Sequence, residues 1–137
     1  MKIGIIGAMD VEIDRLKEAS EITRKVVKAD MEFCEGRLGS TDVVIAKCGM
    51  GKVNSGICAQ ILIDTFNVSH VINTGVAGAL NDNLNIGDIV IAHDAVQHDF
   101  DVTHLGFKAV LAVVPDVNVI EGKSLCRGSV FIEERKI

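Results

Sequence analysis

Met1-Lys-Ile-Gly-Ile-Ile-Gly-Ala-Met-Asp-Val-Glu12 opens the chain and decides its fold class. Ile3 to Ile6 is a short apolar run of the kind that forms a buried strand. Gly7-Ala8-Met9 then turns the chain, and Ile13, Leu16 and Lys17 follow at helical spacing. A strand that passes through such a turn into a helix places the turn at the carboxyl edge of a sheet. In open α/β sheets that edge is where ligands bind. Glu12 lies just past the turn and has two readings. It either faces a ligand or is a solvated first-turn carboxylate complementing the helix dipole. Spacing alone favours the second.

The same grammar recurs downstream. The first helix is expected over Asp10–Ala19, followed by strand-like alternation over Glu21–Lys28 and a second meander strand over Met31–Leu38. Gly39-Ser40-Thr41-Asp42 reads as a turn and Val43–Lys47 as a buried strand. That strand runs into Cys48-Gly-Met-Gly51 and a long helical pattern, Lys52–Phe66, with Val53, Ile57, Leu62 and Ile63 as its apolar residues. His70–Asn73 is the next strand, followed by Thr74-Gly-Val-Ala-Gly78, and Asp88–Ala92 is another. Strands alternating with helices, with glycine turns at strand exits, indicate a single α/β domain over residues 1–137. The early run of adjacent strands makes its central sheet mixed. Beyond Phe107 the pattern weakens: Ala109–Val114 ends at Pro115, Val117–Ile120 and Gly128–Ile132 read as short strands, and Glu133 to Lys136 are mostly charged. A doubly wound sheet needs more helix than this stretch supplies.

Composition narrows the function classes. The 137 residues, 48% of them hydrophobic, suffice for one globular core. No apolar stretch approaches the length of a membrane span, and no signal-peptide pattern is visible, which points to a cytoplasmic protein. Cys34, Cys48, Cys58 and Cys126 are scattered, form no C-x-x-C pair, and read as reduced, mostly buried thiols. The net charge of −5, with no Lys/Arg cluster, argues against a nucleic-acid partner.

Several motifs are weak alone. Cys48-Gly-Met-Gly-Lys-Val-Asn-Ser-Gly56 is not a phosphate loop, because Val53 follows Lys52 and Asn54 occupies the place of a third glycine. Its helix N-terminus can still present backbone N–H groups to a ligand oxygen. Asn73-Thr-Gly-Val-Ala-Gly78 is a second strand exit of small residues, open to close approach of a ligand or simply a turn. His93-Asp94 and His98-Asp99-Phe-Asp101-Val-Thr-His104 hold potential metal ligands without a metal-binding frame. A hydrogen-bonded or subunit-contact loop is the better reading, and no metal is expected. No G-x-S-x-G elbow is present.

Taken together and in order, Gly4-Ile-Ile-Gly-Ala-Met-Asp-Val-Glu12, Gly49-Met-Gly-Lys-Val53, Asn73-Thr-Gly-Val-Ala-Gly78 and Gly87-Asp-Ile-Val-Ile-Ala-His-Asp94 with His98-Asp-Phe-Asp-Val-Thr103 are a specific set. The chain resembles the 5′-methylthioadenosine/S-adenosylhomocysteine nucleosidases, within the purine nucleoside phosphorylase and uridine phosphorylase superfamily, from Met1 to about Phe107. The resemblance implies an α/β domain around a mixed, partly barrel-like sheet, and a homodimer. It implies hydrolysis of the N-glycosidic bond of these nucleosides, with release of adenine and no cofactor. It makes Glu12 the residue that orients and activates water, a role suited to a carboxylate that can accept the water's proton. It places Ala8, Met9 and Met50 around the ribose and alkylthio group, and Val76, Ala77 and Gly78 near the base and sugar. Val102 and Leu105 match positions that reach into the neighbouring subunit's pocket. Phe131 matches the residue stacking on adenine, and Ile132 the one whose backbone reads its edge.

Phosphorylases of this superfamily carry a Gly-Asp-Pro-x-Arg type loop where this chain has Gly-Ala-Met-Asp-Val-Glu, so water fits better than phosphate as the nucleophile. Two departures stand out. Val76 occupies the place of a serine hydroxyl in many members. The Met-Glu motif that grips the ribose and the Ser-Asp motif that protonates adenine are both absent from the sequence, and Phe107–Cys126 is shorter than the family's stretch. The second departure implies a truncated, gapped or fragmentary nucleosidase with its C-terminal part missing. The competing readings are an inactive nucleoside-binding or interaction fragment and a purine nucleoside phosphorylase.

Overall fold

The computed structural model describes residues 1–79, 84–90, 103–106, 126–127 and 132–133. The elements run β1 (Lys2–Gly7), α1 (Asp10–Glu18), β2 (Glu21–Lys28), β3 (Met31–Leu38), β4 (Thr41–Lys47), α2 (Lys52–Phe66), β5 (His70–Asn73), β6 (Gly78–Ala79), β7 (Cys126–Arg127) and β8 (Ile132–Glu133). A 3₁₀ turn spans Thr103–Leu105.

The main sheet has the order β2-β3-β4-β1-β5-β8. β1 lies between β4 and β5 and is parallel to both. Their carboxyl ends therefore open on the same edge. β2, β3 and β4 form an antiparallel meander, and β8 pairs antiparallel with β5, so the sheet is mixed as the sequence suggests. β6 and β7 form a separate two-stranded ladder.

Burial follows from the side-chain alternation of the strands. Val43 and Ile45 face one side with Ile5 and Ile13, where α1 packs. Val44 and Ala46 face the other with Ile6, Phe33, Cys58, Leu62 and Phe66, where α2 packs. The central strands are buried on both faces and carry near-continuous apolar runs for that reason. Phe33 and Phe66 stack with ring centroids 5.2 Å apart, joining β3 to the last turn of α2.

The turn expected over residues 39–42 is tighter than its composition suggests. Thr41 and Asp42 already belong to β4, paired with Leu38 and Arg37, which leaves Gly39-Ser40 as the connection. At the β2–β3 connection both Ala29 and Asp30 have positive φ, the backbone that matches the twist of a two-residue hairpin. The strand expected over Asp88–Ala92 is not formed at Asp88–Val90. Asp88 instead closes a turn: its Oδ2 accepts the Asn85 N–H at 2.8 Å, and its N–H donates to the Asn85 carbonyl at 3.1 Å. Ile89 is exposed, and among the described residues no strand runs beside this segment to supply a ladder. Ile91, Ala92, Ala109–Val114 and Val117–Ile120 lie outside the described residues. Of Gly128–Ile132 only Ile132 falls within them, at the start of β8.

Candidate active site

Three strand exits are laced together at the carboxyl edge. Cys48 N–H donates to the Gly7 carbonyl at 2.9 Å, and Thr74 N–H donates to the Ile6 carbonyl at 2.8 Å. The β1 turn is thus flanked on one side by the exit of β4 and on the other by the exit of β5.

Glu12 sits at the centre of this junction, at the third position of α1. Its Oε2 accepts the Ala8 N–H at 2.8 Å and the Met9 N–H at 3.0 Å. The Met9 bond is the reciprocal half of a capping box and satisfies an amide at the helix start. The first-turn reading of Glu12 is therefore correct but incomplete. Oε1 reaches across the edge and accepts the Val76 N–H at 3.1 Å, 64 residues away in sequence. A carboxylate offers about four acceptor positions. Three are occupied by backbone amides, so the group is fixed in place with acceptor capacity left on Oε1.

Neighbouring charges brace the same corner. Lys47 Nζ lies 2.8 Å from Asp10 Oδ2, tying the end of β4 to the first residue of α1. The hydrogen bond from Lys47 holds the Asp10 carboxyl below its ordinary range, and the same bond raises the Lys47 ammonium. Under the edge, Cys48 and Cys58 are buried free thiols. Burial, with a smaller contribution from nearby Cys48, pushes the Cys58 thiol up to about 12.

The structure brings Ala8, Met9, Glu12 and Val76 into direct hydrogen-bonded contact. Met50 stands on the adjoining β4 exit, 78% exposed, and Val76, 77% exposed, turns its side chain outward. Ala77 is exposed in the β5 exit, and Gly78 begins β6. Ile132 backbone pairs with Ile72 of β5, one strand away from β1. Leu105 is exposed in its 3₁₀ turn. Phe131 and Val102 lie outside the described residues, as does the His93–His104 cluster except for Thr103 and His104. Among the described residues no three His, Cys, Asp or Glu side chains gather to hold a metal ion.

Sequence reading missed Gly75 and the Asp10–Lys47 tie. An ideal Cβ built on Gly75 would lie 2.7 Å from Glu12 Oε1. The sequence signal was present as a glycine at a strand exit, but its counterpart lies too far along the chain for spacing to connect them.

Comparison with known proteins places this geometry. The family model described as the phosphorylase superfamily matches residues 2–124. A 5′-methylthioadenosine/S-adenosylhomocysteine nucleosidase of Geobacillus sp. (strain WCH70) is 45% identical over 108 residues, covering 79% of this chain and 47% of the relative. One from Exiguobacterium sp. (strain ATCC BAA-1283 / AT1b) is 38% identical over 160 aligned positions, covering 99% of this chain and 67% of the relative. Those 160 positions exceed the 137 residues of this chain, so at least 23 internal positions of that relative have no counterpart here. The Colwellia psychrerythraea 34H nucleosidase, solved in complex with adenine, superimposes with a TM-score of 0.77 at 42% identity, over 80% of this chain and 45% of that one. The chain spans about half the length of the first curated relatives it matches. By the family match and the shared fold, this chain belongs to the phosphorylase superfamily, and the relatives it is similar to within it are methylthioadenosine/S-adenosylhomocysteine nucleosidases.

Proposed function

We propose that the chain provides the water-activating side of a nucleosidase that hydrolyses the N-glycosidic bond of 5′-methylthioadenosine and S-adenosylhomocysteine. The observation that carries this reading is the Glu12 carboxylate, fixed by the Ala8, Met9 and Val76 amides at the edge where three strand exits meet. In the reaction the bond between the ribosyl carbon and adenine breaks, and its electron pair leaves with the base, which takes up a proton from solvent. A water held on Oε1 bonds to the cationic sugar carbon and gives a proton to Glu12. The amides contribute by orientation: a carboxylate that cannot swing holds the water on one line of approach. The solved relatives bear on the substrate class. The Colwellia enzyme holds adenine, and the Streptococcus pneumoniae enzyme, 40% identical with a TM-score of 0.77 over 84% of this chain and 50% of that one, holds a transition-state inhibitor.

In this reading Ala8, Met9 and Met50 border the ribose and alkylthio group, and Val76, Ala77, Gly78, Phe131 and Ile132 border the sugar and base. The protein acts in the cytoplasm as a homodimer, with Val102 and Leu105 contributing across the subunit boundary. No cofactor enters the reaction. The test is adenine release from methylthioadenosine by the purified chain in phosphate-free buffer. Release that is independent of added phosphate and falls about a hundredfold to ten-thousandfold in Glu12→Gln supports the reading. Release only with phosphate would make the protein a phosphorylase, and binding of adenine without turnover would make it a binding protein.

A further inference from the structure

Gly75 is a glycine for a reason that its own backbone does not supply. Its φ lies outside the left-handed region that favours glycine. What forbids a side chain is the space above it. The three atoms nearest an added Cβ all belong to Glu12: Oε1 at 2.7 Å, Cδ at 3.2 Å and Oε2 at 3.5 Å. Contacts under 3.0 Å force a shift, and here the carboxylate is the group able to move. Its place is set from the other side by the Ala8 and Met9 amides, and from the Gly75 side by the N–H of the next residue, Val76, at 3.1 Å. The carboxylate therefore occupies the space a Gly75 side chain would need while bonded to the next amide along the chain. Gly7 differs in degree: a Cβ there would clash first with Ile13 Cγ2, a core contact of α1 against β1, and would reach Glu12 only at Cβ (3.3 Å) and at Oε2 (3.7 Å), an ordinary contact distance from the carboxylate.

We infer that Gly75 is a positioning residue for Glu12: by leaving its Cβ space empty it lets the carboxylate dock on the Val76 amide, which fixes Oε1 for the attacking water. The inference rests on the nucleosidase reading for its role in catalysis, but its structural half stands independently. Gly75→Ala displaces Oε1, breaks the Val76 bond and leaves the Ala8 and Met9 bonds in place. A misplacement of this size costs on the order of a hundredfold in rate where the group acts on water, with substrate binding little changed.

The experiment is a double-mutant cycle on the full chain with Gly75→Ala, Glu12→Ala and the pair, read by urea midpoint and by the amide proton shifts of Ala8, Met9 and Val76. Gly75→Ala is expected to lower the midpoint of the parent but to leave unchanged or raise that of Glu12→Ala, because alanine at a compatible φ restrains the unfolded chain. The Val76 amide proton is expected to move upfield alone. In a chain that releases adenine, kcat falls about a hundredfold while KM stays within about threefold. Coupling and the Val76 shift in a chain without turnover would uphold the docking and remove the nucleosidase reading. An equal midpoint loss in both backgrounds, a Val76 amide that does not move, or a double variant that fails to fold would overturn the inference.

Discussion

Glu12→Gln preserves the shape of the side chain and reverses half of its hydrogen-bonding chemistry. Three N–H donors converge on the two oxygens of Glu12, whereas glutamine presents one oxygen and an NH₂. With its oxygen toward Ala8 and Met9 it keeps two bonds and sets donor against donor at Val76. The variant is therefore expected to lose about 1–3 kcal/mol of unfolding free energy in addition to its catalytic defect, measured by urea denaturation. Cys58 gives a second residue-level expectation. Its thiol is fully buried and raised to about 12, so the folded chain leaves it as the unreactive thiol at pH 8. Iodoacetamide followed by peptide mass analysis should show Cys58 modified only as fast as the chain opens. The burial of Cys34, Cys48 and Cys58 was legible in their apolar surroundings. The bond from Glu12 to Val76 was not, because nothing in the local spacing of residue 12 refers to residue 76. Only the pairing of β1 with β5 brings them together.

At the level of elements, the apolar runs of β1 and β4 and the glycines at their exits were enough to read strand and turn. The long α2 pattern was read with its bounds intact. Failures occurred where a strand depends on a neighbour. Asp88–Val90 has the composition of a strand but closes a turn instead, while the two-residue β6 and β7 are too short to carry a period. The junction of α1 with β4 yields a pH expectation. The Asp10 carboxyl is lowered by Lys47, so the stability it contributes is present above its unfolded value and is lost as pH falls through its lower folded value. Lys47 is raised, so its contribution holds below its unfolded value and is lost as pH rises through the higher folded one. Asp10→Asn should therefore differ most from the parent around neutral pH and converge with it in acid. Melting temperature against pH checks this, and because the pair is exposed, added salt should shrink the difference. On the other face of the sheet, Leu62 is fully buried between α2 and the central strands. Leu62→Ala should cost about 2–5 kcal/mol by the same denaturation measurement.

For the whole molecule, the unequal treatment of the two sides of α2 is the informative feature. Cys58, Leu62 and Phe66 face the sheet, yet Val53 is 75% exposed and Ile57 also stands open. Gln60 donates to Asp64 at 2.7 Å on the exposed side, so the open apolar residues form a patch in the N-terminal half of the helix rather than a whole face. The sequence showed Val53 and Ile57 among the apolar residues of this helical run, but that pattern does not say whether a cover over them comes from the same chain or from another. The internal positions present in the Exiguobacterium relative and absent here bear on the same question, since a shorter chain has less of its own surface to offer. In the proposed homodimer, Val53 and Ile57 would be covered by a second copy. Replacing Val53 and Ile57 together by aspartate would place charges in that contact without touching Cys58, Leu62 or Phe66. Sedimentation velocity is expected to show the parent as a dimer and the Val53→Asp, Ile57→Asp chain as a monomer with unchanged far-ultraviolet circular dichroism. A parent that sediments as a monomer, or a doubly charged variant that still dimerises, would separate the patch from self-association and leave another partner to cover α2.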